Sequence, residues 1–195
     1  MKKTAITLLS ITMLSGCVTT QEWQANTYHD EFTGKSACRV EMGTPEQRAG
    51  NRYSYGTPVT YNFYAENHDG EIRTGIRSEP AIPINGDVQI KVGGTLYTIG
   101  AADTPIDTKP SMPSPQGSEA FNQSYAAAMD SIQKVTSPYR AFTGKKARAL
   151  LENMVSQRGE VIFRTVGVNT ATSGTGRFII DDTFVSALHQ CGVIE

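Results

Sequence analysis

The chain has 195 residues, a formal net charge of -1, and 38% hydrophobic, 19% charged and 8% aromatic residues. That apolar content excludes a disordered chain, three cysteines are too few for a disulfide-stapled miniprotein, and the near-neutral charge argues against a nucleic-acid binder. One globular domain is expected at this length.

The first residues set the compartment. Lys2 and Lys3 precede a short, mostly apolar run from Ala5 to Met13, which ends in Leu14-Ser15-Gly16-Cys17. A basic start followed by an apolar stretch too short to span a bilayer reads as a secretory signal. The tetrapeptide resembles the lipobox of bacterial lipoproteins. The resemblance implies cleavage before Cys17, diacylglycerol on its thiol, and an N-acyl chain such as palmitate. One acyl chain holds a protein only marginally, whereas two or more hold it stably. Inner-membrane lipoproteins often carry Asp after the lipidated Cys. Val18 therefore implies the outer membrane, on its periplasmic face rather than the surface. On this reading residues 1-16 are the signal peptide, 17-34 a lipidated tether with Trp23 and Phe32 as docking points, and 35-195 a single periplasmic domain.

With Cys17 taken by lipid, Cys38 and Cys191 remain, one near each end of an exported domain. That arrangement predicts a disulfide, with two buried free thiols as the alternative. Two cysteines without a nearby His cannot complete a tetrahedral zinc shell, so no metal is expected.

The mature chain starts with strands. Val59, Tyr61, Phe63 and Ala65 alternate with Thr60, Asn62 and Tyr64, a period of two that predicts a half-buried strand within 53-66. Asn67-His68-Asp69-Gly70 supplies turn chemistry. Ile72, Thr74 and Ile76, alternating with Arg73, Gly75 and Arg77, form the hairpin partner. Val88, Ile90 and Val92 make another strand, with Gly93-Gly94 turning into a return strand at Leu96 to Ile99. Residues 103-117 hold Pro105, Pro110, Pro113 and Pro115 and predict a long loop.

The period then changes. Phe121, Tyr125, Ala128, Met129 and Ile132 lie at helical spacing after Ser118, a predicted N-cap. Ala147, Leu150, Leu151 and Met154 predict a second helix between Thr143 and Gly159. Val161, Phe163 and Thr165 start a strand. A turn containing Gly167, Gly174 and Gly176 leads to a strand at Phe178-Ile179-Ile180. A last helix carries Phe184, Ala187, Leu188 and Cys191, with Asp182 as its expected cap. The fold class is α+β, mainly β: an antiparallel sheet or sandwich with two or three short helices in the C-terminal half. The strand Glu160-Val161-Ile162-Phe163, the Gly-rich turn, Phe178-Ile179-Ile180 and the helix from Thr183-Phe184 to Ala187-Leu188 resemble the closing segment of invasion-associated-locus-B-like envelope proteins. That resemblance spans residues 87-192. It implies an exported β-sandwich linked to host-cell contact or stress, with no active site to carry over.

No motif supplies chemistry. His29, His68 and His189 share no ligand spacing, and neither HExxH nor G-x-S-x-G occurs. Gly144-Lys145 is followed by Lys146 rather than Ser or Thr, so it is no P-loop. No cofactor is called for. One cluster stands out: Arg140, Lys145, Lys146 and Arg148 surround the start of the second predicted helix, where free N-H groups and basic side chains together suit an anion. A solvated basic face is the plainer reading. The sequence as a whole predicts a membrane-anchored lipoprotein that binds or scaffolds an anionic envelope component or an envelope protein. The alternatives are a periplasmic hydrolase assembled only in three dimensions, or a surface factor contacting host cells.

Overall fold

The computed structural model describes residues 22-32, 34-42, 59-107, 117-167, 172 and 175-195. The signal segment, Cys17, residues 53-58 and residues 108-116 of the Pro-rich stretch lie outside them. No helix among the described residues is long and apolar enough to cross a membrane.

The described strands form two antiparallel sheets. Strands β1 (Trp23–His29), β2 (Ser36–Met42), β3 (Thr60–His68), β4 (Glu71–Glu79) and β7 (Tyr139–Thr143) make a five-stranded sheet in that order. Strands β5 (Asp87–Val92), β6 (Thr95–Ile99), β8 (Gly159–Val166) and β9 (Gly176–Ile180) make a four-stranded sheet ordered β6-β5-β8-β9. Helices α1 (Glu119–Val135), α2 (Gly144–Gln157) and α3 (Asp182–Gln190) complete the chain. This is the mainly-β α+β architecture expected from the alternating patterns.

The inner faces of the sheets meet in one core. Tyr61, Phe63 and Ala65 of β3 are buried there with Val88, Ile90 and Val92 of β5, so the period-two faces point where the sequence predicts. Five aromatic rings form its centre. Phe63 stacks on Phe178 at 4.7 Å, while Trp23 meets Phe184 at 4.8 Å and Phe178 at 5.6 Å edge-on. Phe163 lies 6.0 Å from Phe178, and its partner across the β8–β9 pair is Gly176. A Cβ at Gly176 would sit 2.2 Å from the Phe163 ring, so only glycine leaves room for that ring. The two open sides of the sandwich are closed by helices. Helix α2 buries Ala147, Leu150, Leu151 and Met154 against β4, β7 and β5, and α3 buries Phe184, Ala187 and Leu188 against β1, β2 and β9.

Local chemistry explains the boundaries. Asp69 and Gly70 both adopt positive φ, 51° and 89°, which makes the β3–β4 connection a two-residue hairpin of the primed kind. The strands therefore run through His68 and Glu71, and the turn is shorter than the four-residue segment expected. Ser118 caps α1 by accepting from the Phe121 N-H. Thr143 holds the N-cap position of α2 without a side-chain bond.

Four expectations need correction. The segment read as a tether contains β1, whose seven residues pair with β2 from Trp23–Met42 to His29–Ser36. Trp23 is buried and donates its indole N-H to the Ile179 carbonyl at 2.8 Å, whereas Phe32 is fully exposed. The described domain thus includes Trp23–His29, ahead of residue 35. Strand β7 was not expected at all, because Arg140 interrupts its apolar pattern. The cap of α3 is Asp181, whose carboxylate accepts from the Thr183 and Phe184 amides. Asp182 lies in the first turn and pairs with Arg158. Finally, the apolar stripe of α1 does not enter the core: no residue of α1 is buried, and Phe121, Ile132 and Val135 are about half exposed.

Cys38 and Cys191 form the expected disulfide, with Cα atoms 5.1 Å apart and 153 residues between them in sequence. It fastens the end of α3 to β2, so the two ends of the described fold are closed covalently. Cross-linking a loop of this length removes unfolded-state entropy equivalent to about 5 kcal/mol, an upper value. The double substitution Cys38→Ser with Cys191→Ser should lower unfolding free energy by about 3–5 kcal/mol. Denaturant titration of the variant, and of the wild type with and without reductant, measures this; equal midpoints would refute it.

Candidate functional site

The outer face of the five-stranded sheet carries an ionic layer. Residues directly opposite in antiparallel strands share a face. The β2–β3 register therefore sets Arg39 beside Glu66, and the β3–β4 register sets Glu66 beside Arg73 and Asn62 beside Arg77. Across β4–β7, Arg77 faces Tyr139 and Gly75 faces Ala141. Gly75 is required there, because a Cβ would lie 2.0 Å from the Arg140 carbonyl oxygen.

Each arginine has a carboxylate partner. Arg39 donates to Glu66 at 2.8 Å and lies over the rings of Tyr28 and Tyr64 at 5.2 and 5.3 Å. Arg73 donates to Glu71 at 2.8 Å and to Asp107 at 2.8 Å. Arg77 donates to Glu41 at 2.6 Å, and the other oxygen of Glu41 accepts from the Tyr28 hydroxyl at 2.7 Å. Glu41, Asn62, Tyr64, Glu66 and Arg73 are all buried, so this is an interior polar layer rather than a solvated sheet face.

Burial governs the titration of this layer. It pushes the Tyr64 phenol far above its ordinary value of 10.0, with Glu66 adding to the shift. Burial likewise raises Tyr139, helped by Asp107, and raises Tyr28, helped by its bond to Glu41. Burial works against the charge on Arg39, yet Glu66 holds its pKa above the ordinary value. Asp107 and Glu71 do the same for Arg73.

A cavity of about 130 Å³ opens in this layer, walled by Arg39, Tyr64, His68, Arg73, Arg77 and Tyr139 among others. One water needs only about 10–15 Å³ of such space. Several wall groups are unspent. The Tyr64 and Tyr139 hydroxyls bond no described residue. Arg77 Nε and His68 Nε2 are buried without a hydrogen-bond partner among the described residues, as is Asn62 Oδ1, which does not line the cavity. His68 Nε2 lies 4.0 Å from Asp107 Oδ1. Buried polar atoms without partners are uncommon; a group bearing acceptor oxygens would satisfy Arg77 Nε, and His68 Nε2 in its Nε2-H tautomer, but not the Asn62 amide oxygen.

The geometry does not assemble a nucleophile. Ser78 borders the cavity, but its hydroxyl is engaged with the Ile82 and Pro138 carbonyls. His29 contacts Ser36 at 3.1 Å in an exposed pair at the far end of β1–β2, and neither residue lines the cavity. Among the described residues no three His, Cys, Asp or Glu side chains converge as metal ligands.

The basic cluster at the start of α2 is dispersed. Arg140 points inward from β7 and is fully buried. Its guanidinium donates to the carbonyls of Gly86, Lys134, Ser137, Tyr139, Ile84 and Val135. Burial lowers its pKa, with Asp87 opposing the shift. Arg148 reaches the Val193 carbonyl at 3.4 Å, and Lys146 pairs with Asp103 at 2.6 Å while lying over the Phe142 ring. Lys145 is exposed. The four side chains do not share one anion site. Cys17 lies outside the described residues.

Sequence reading missed the ionic layer because Arg73, Arg77 and Asn62 occupy the polar phase of half-buried strands. One signal was available: a two-residue turn at Asp69-Gly70 sets Glu66 against Arg73 and Asn62 against Arg77. Compared with family models, curated proteins and solved structures, the chain matches none.

The tyrosines give a pH test. In the unfolded chain their phenols ionise near 10, whereas Tyr64, Tyr139 and Tyr28 hold their protons to higher pH in the fold. Their contribution to stability is complete below pH 10 and is lost as pH rises beyond it. Absorbance at 295 nm should show part of the eight tyrosines titrating only with alkaline unfolding, and Tyr64→Phe should reduce that late step. A single titration near pH 10 would refute the burial argument. Replacing Arg140 by Met should cost at least about 3 kcal/mol in a urea melt, because it strands buried carbonyls; a neutral result would refute the role given to that side chain.

Proposed function

We propose that this protein is a bacterial envelope lipoprotein, anchored through Cys17 on the periplasmic face of the outer membrane, that acts as a non-enzymatic binding module. The cavity on the five-stranded sheet is the binding site in this reading. The observation that supports it is the donor-rich wall: Arg77 Nε, His68 Nε2 and the Tyr64 and Tyr139 hydroxyls face about 130 Å³ with no described protein acceptor.

The ligand class follows from that wall. The arginine charges are already matched by Glu41, Glu66, Glu71 and Asp107, so the site does not act as a strong attractor for diffuse anions. It offers directional donors in a low-dielectric setting, where each hydrogen bond counts for more than in water. A small oxygen-rich group, such as a carboxylate of the cell wall or a phosphate of a lipid headgroup, fits both size and polarity. Rigid strands hold every donor, so little ordering entropy is lost on binding.

The anchor and the site are tested separately. Cys17→Ser should abolish radiolabelled palmitate incorporation and release the chain from the membrane fraction; unchanged labelling would overturn the anchor. For the site, calorimetric titration of the full chain in detergent micelles uses inorganic phosphate and a soluble muropeptide. Arg77→Met should weaken binding at least tenfold, whereas Lys145→Glu with Lys146→Glu should leave it unchanged. The reverse pattern would move the site back to the start of α2, and binding of neither probe would overturn this reading.

A further inference from the structure

β1 ends the five-stranded sheet, and its hydrogen bonds reveal which backbone groups face outward. The Asp30 N-H donates to the Lys35 carbonyl just past the β1–β2 pair, so the even-numbered residues Gln24, Asn26 and Tyr28 direct their backbone groups to β2. Trp23 points the other way, its N-H donating to Thr183 Oγ1 at 3.1 Å. Backbone direction alternates along an antiparallel strand. Ala25 and Thr27 therefore turn their N-H and C=O groups to the free edge, where no described residue bonds them.

Natural sheets usually protect such an edge with lysine, proline, a bulge or a covering segment. β1 reads Trp-Gln-Ala-Asn-Thr-Tyr-His, with no Lys, Arg, Asp, Glu or Pro, and it pairs with β2 over seven residues without a bulge. Beside it runs an open groove of about 540 Å³ between β1 and α3, lined by Ala25, Asn26, Thr183, Ser186, Ala187 and Gln190 among others. An edge strand flanked by a helix is the geometry that accepts an added strand.

We propose that this groove takes one extended segment of a partner polypeptide, which adds to β1 as a sixth strand of the sheet. Its backbone exchanges hydrogen bonds with Ala25 and Thr27, and every second side chain lies in the groove under α3. Those side chains are small and uncharged, because the floor is two alanines, the walls are mainly hydroxyls and amides with Trp23 at one end, and the Asp182 carboxylate on the wall is already paired with Arg158. The Gln24, Asn26 and Tyr28 side of the added strand is polar. A second copy of this chain does not fit the same edge. Helix α3 packs chiefly on β1, and pairing two β1 strands about 4.8 Å apart would bring two α3 helices closer than the roughly 8–10 Å at which helices pack. A lone strand meets no such conflict. The groove is separate from the cavity described above and stands whether or not that cavity binds a ligand.

The test uses the full chain in detergent micelles and a phage-displayed library of random nonapeptides. Selected peptides should carry few charged residues and slow hydrogen exchange at the Ala25 and Thr27 amides. Proline at either position removes the outward N-H without breaking a bond to β2, and edge strands tolerate it. Ala25→Pro and Thr27→Pro should each weaken peptide binding at least tenfold, with the far-ultraviolet circular dichroism of the wild type retained. If one variant fails to fold, the other and the wild-type exchange data still decide. No enriched peptide, peptides that bind both variants as tightly as wild type, or amides exchanging as in the free chain would overturn the proposal. So would spontaneous disulfide dimerisation of Asn26→Cys, which would name a second copy as the occupant.

Discussion

The guanidinium of Arg140 ties together three parts of the chain that are distant in sequence or belong to different elements. Its N-H groups reach carbonyls in the last turn of α1, in the turn before β7, and in the Ile84–Gly86 segment that enters β5. A fork of five donors suits a ring of acceptors that a hydrophobic side chain could not serve. Two of those carbonyls belong to the C-terminus of α1, where the helix dipole favours a cation. No residue of α1 is buried, so this clasp is what ties its last turn to β7 and to the Ile84–Gly86 segment. Without it, the crossing between the five-stranded and the four-stranded sheet would lose its lock. The loss would reach the other face of the sheet, because Tyr139, next to Arg140, borders the outer cavity.

The sheet thus has two polar devices back to back. Inside, Arg140 satisfies backbone carbonyls; outside, Arg39, Arg73 and Arg77 are matched to carboxylates. Burying ion pairs is seldom the most stable solution, because desolvation offsets much of the Coulomb attraction. A hydrophobic outer face would have been simpler if stability alone were at issue. Asp107, which comes from the Pro-containing connection after β6 rather than from the sheet, closes the layer over Arg73. That contact ties the loop to the sheet and forms one wall of the cavity. Folding energy alone does not account for a layer with such specific partners and buried polar atoms left without one, and it is on this layer that the proposed binding role rests.

Much of the architecture was legible in the sequence. Period two marked the faces of β3, β4 and β5, Gly93-Gly94 marked a hairpin, and two cysteines left after Cys17 pointed to one bridge. What failed did so for definable reasons. β1 has a polar composition because only Trp23 is buried among its residues, so its membership in the sheet rests on tertiary pairing with β2. β7 was obscured by Arg140, whose charge is hidden by carbonyls distant in sequence. The apolar stripe of α1 was real as a pattern but is not buried, because periodicity reports amphipathicity and not a partner. For the site, Glu66 and Arg73 were readable as a cross-strand pair once the turn was fixed at two residues. Arg39, Asp107 and Tyr139 could not be placed beside them without the sheet order.

Moving the domain boundary to Trp23 changes what an anchor at Cys17 would impose. A chain spans at most about 3.3–3.6 Å per residue, so a free tether to residue 35 would reach about 60 Å, whereas one ending at Trp23 reaches about 20 Å. A domain of this size is about 40 Å across. If Cys17 carries lipid as proposed, the longer tether would let the globule turn freely beneath the membrane, whereas the shorter one would keep it near the lipid surface. Trp23 also begins the free edge and bounds the groove beside α3, so an added strand would be received close to the point of attachment. The cavity lies across the same sheet, toward β4 and β7, and on an anchored chain its access would depend on how the body tilts. On an anchored chain, lengthening the segment before Trp23 with a flexible insert would change which face meets the membrane without altering any residue of the described fold.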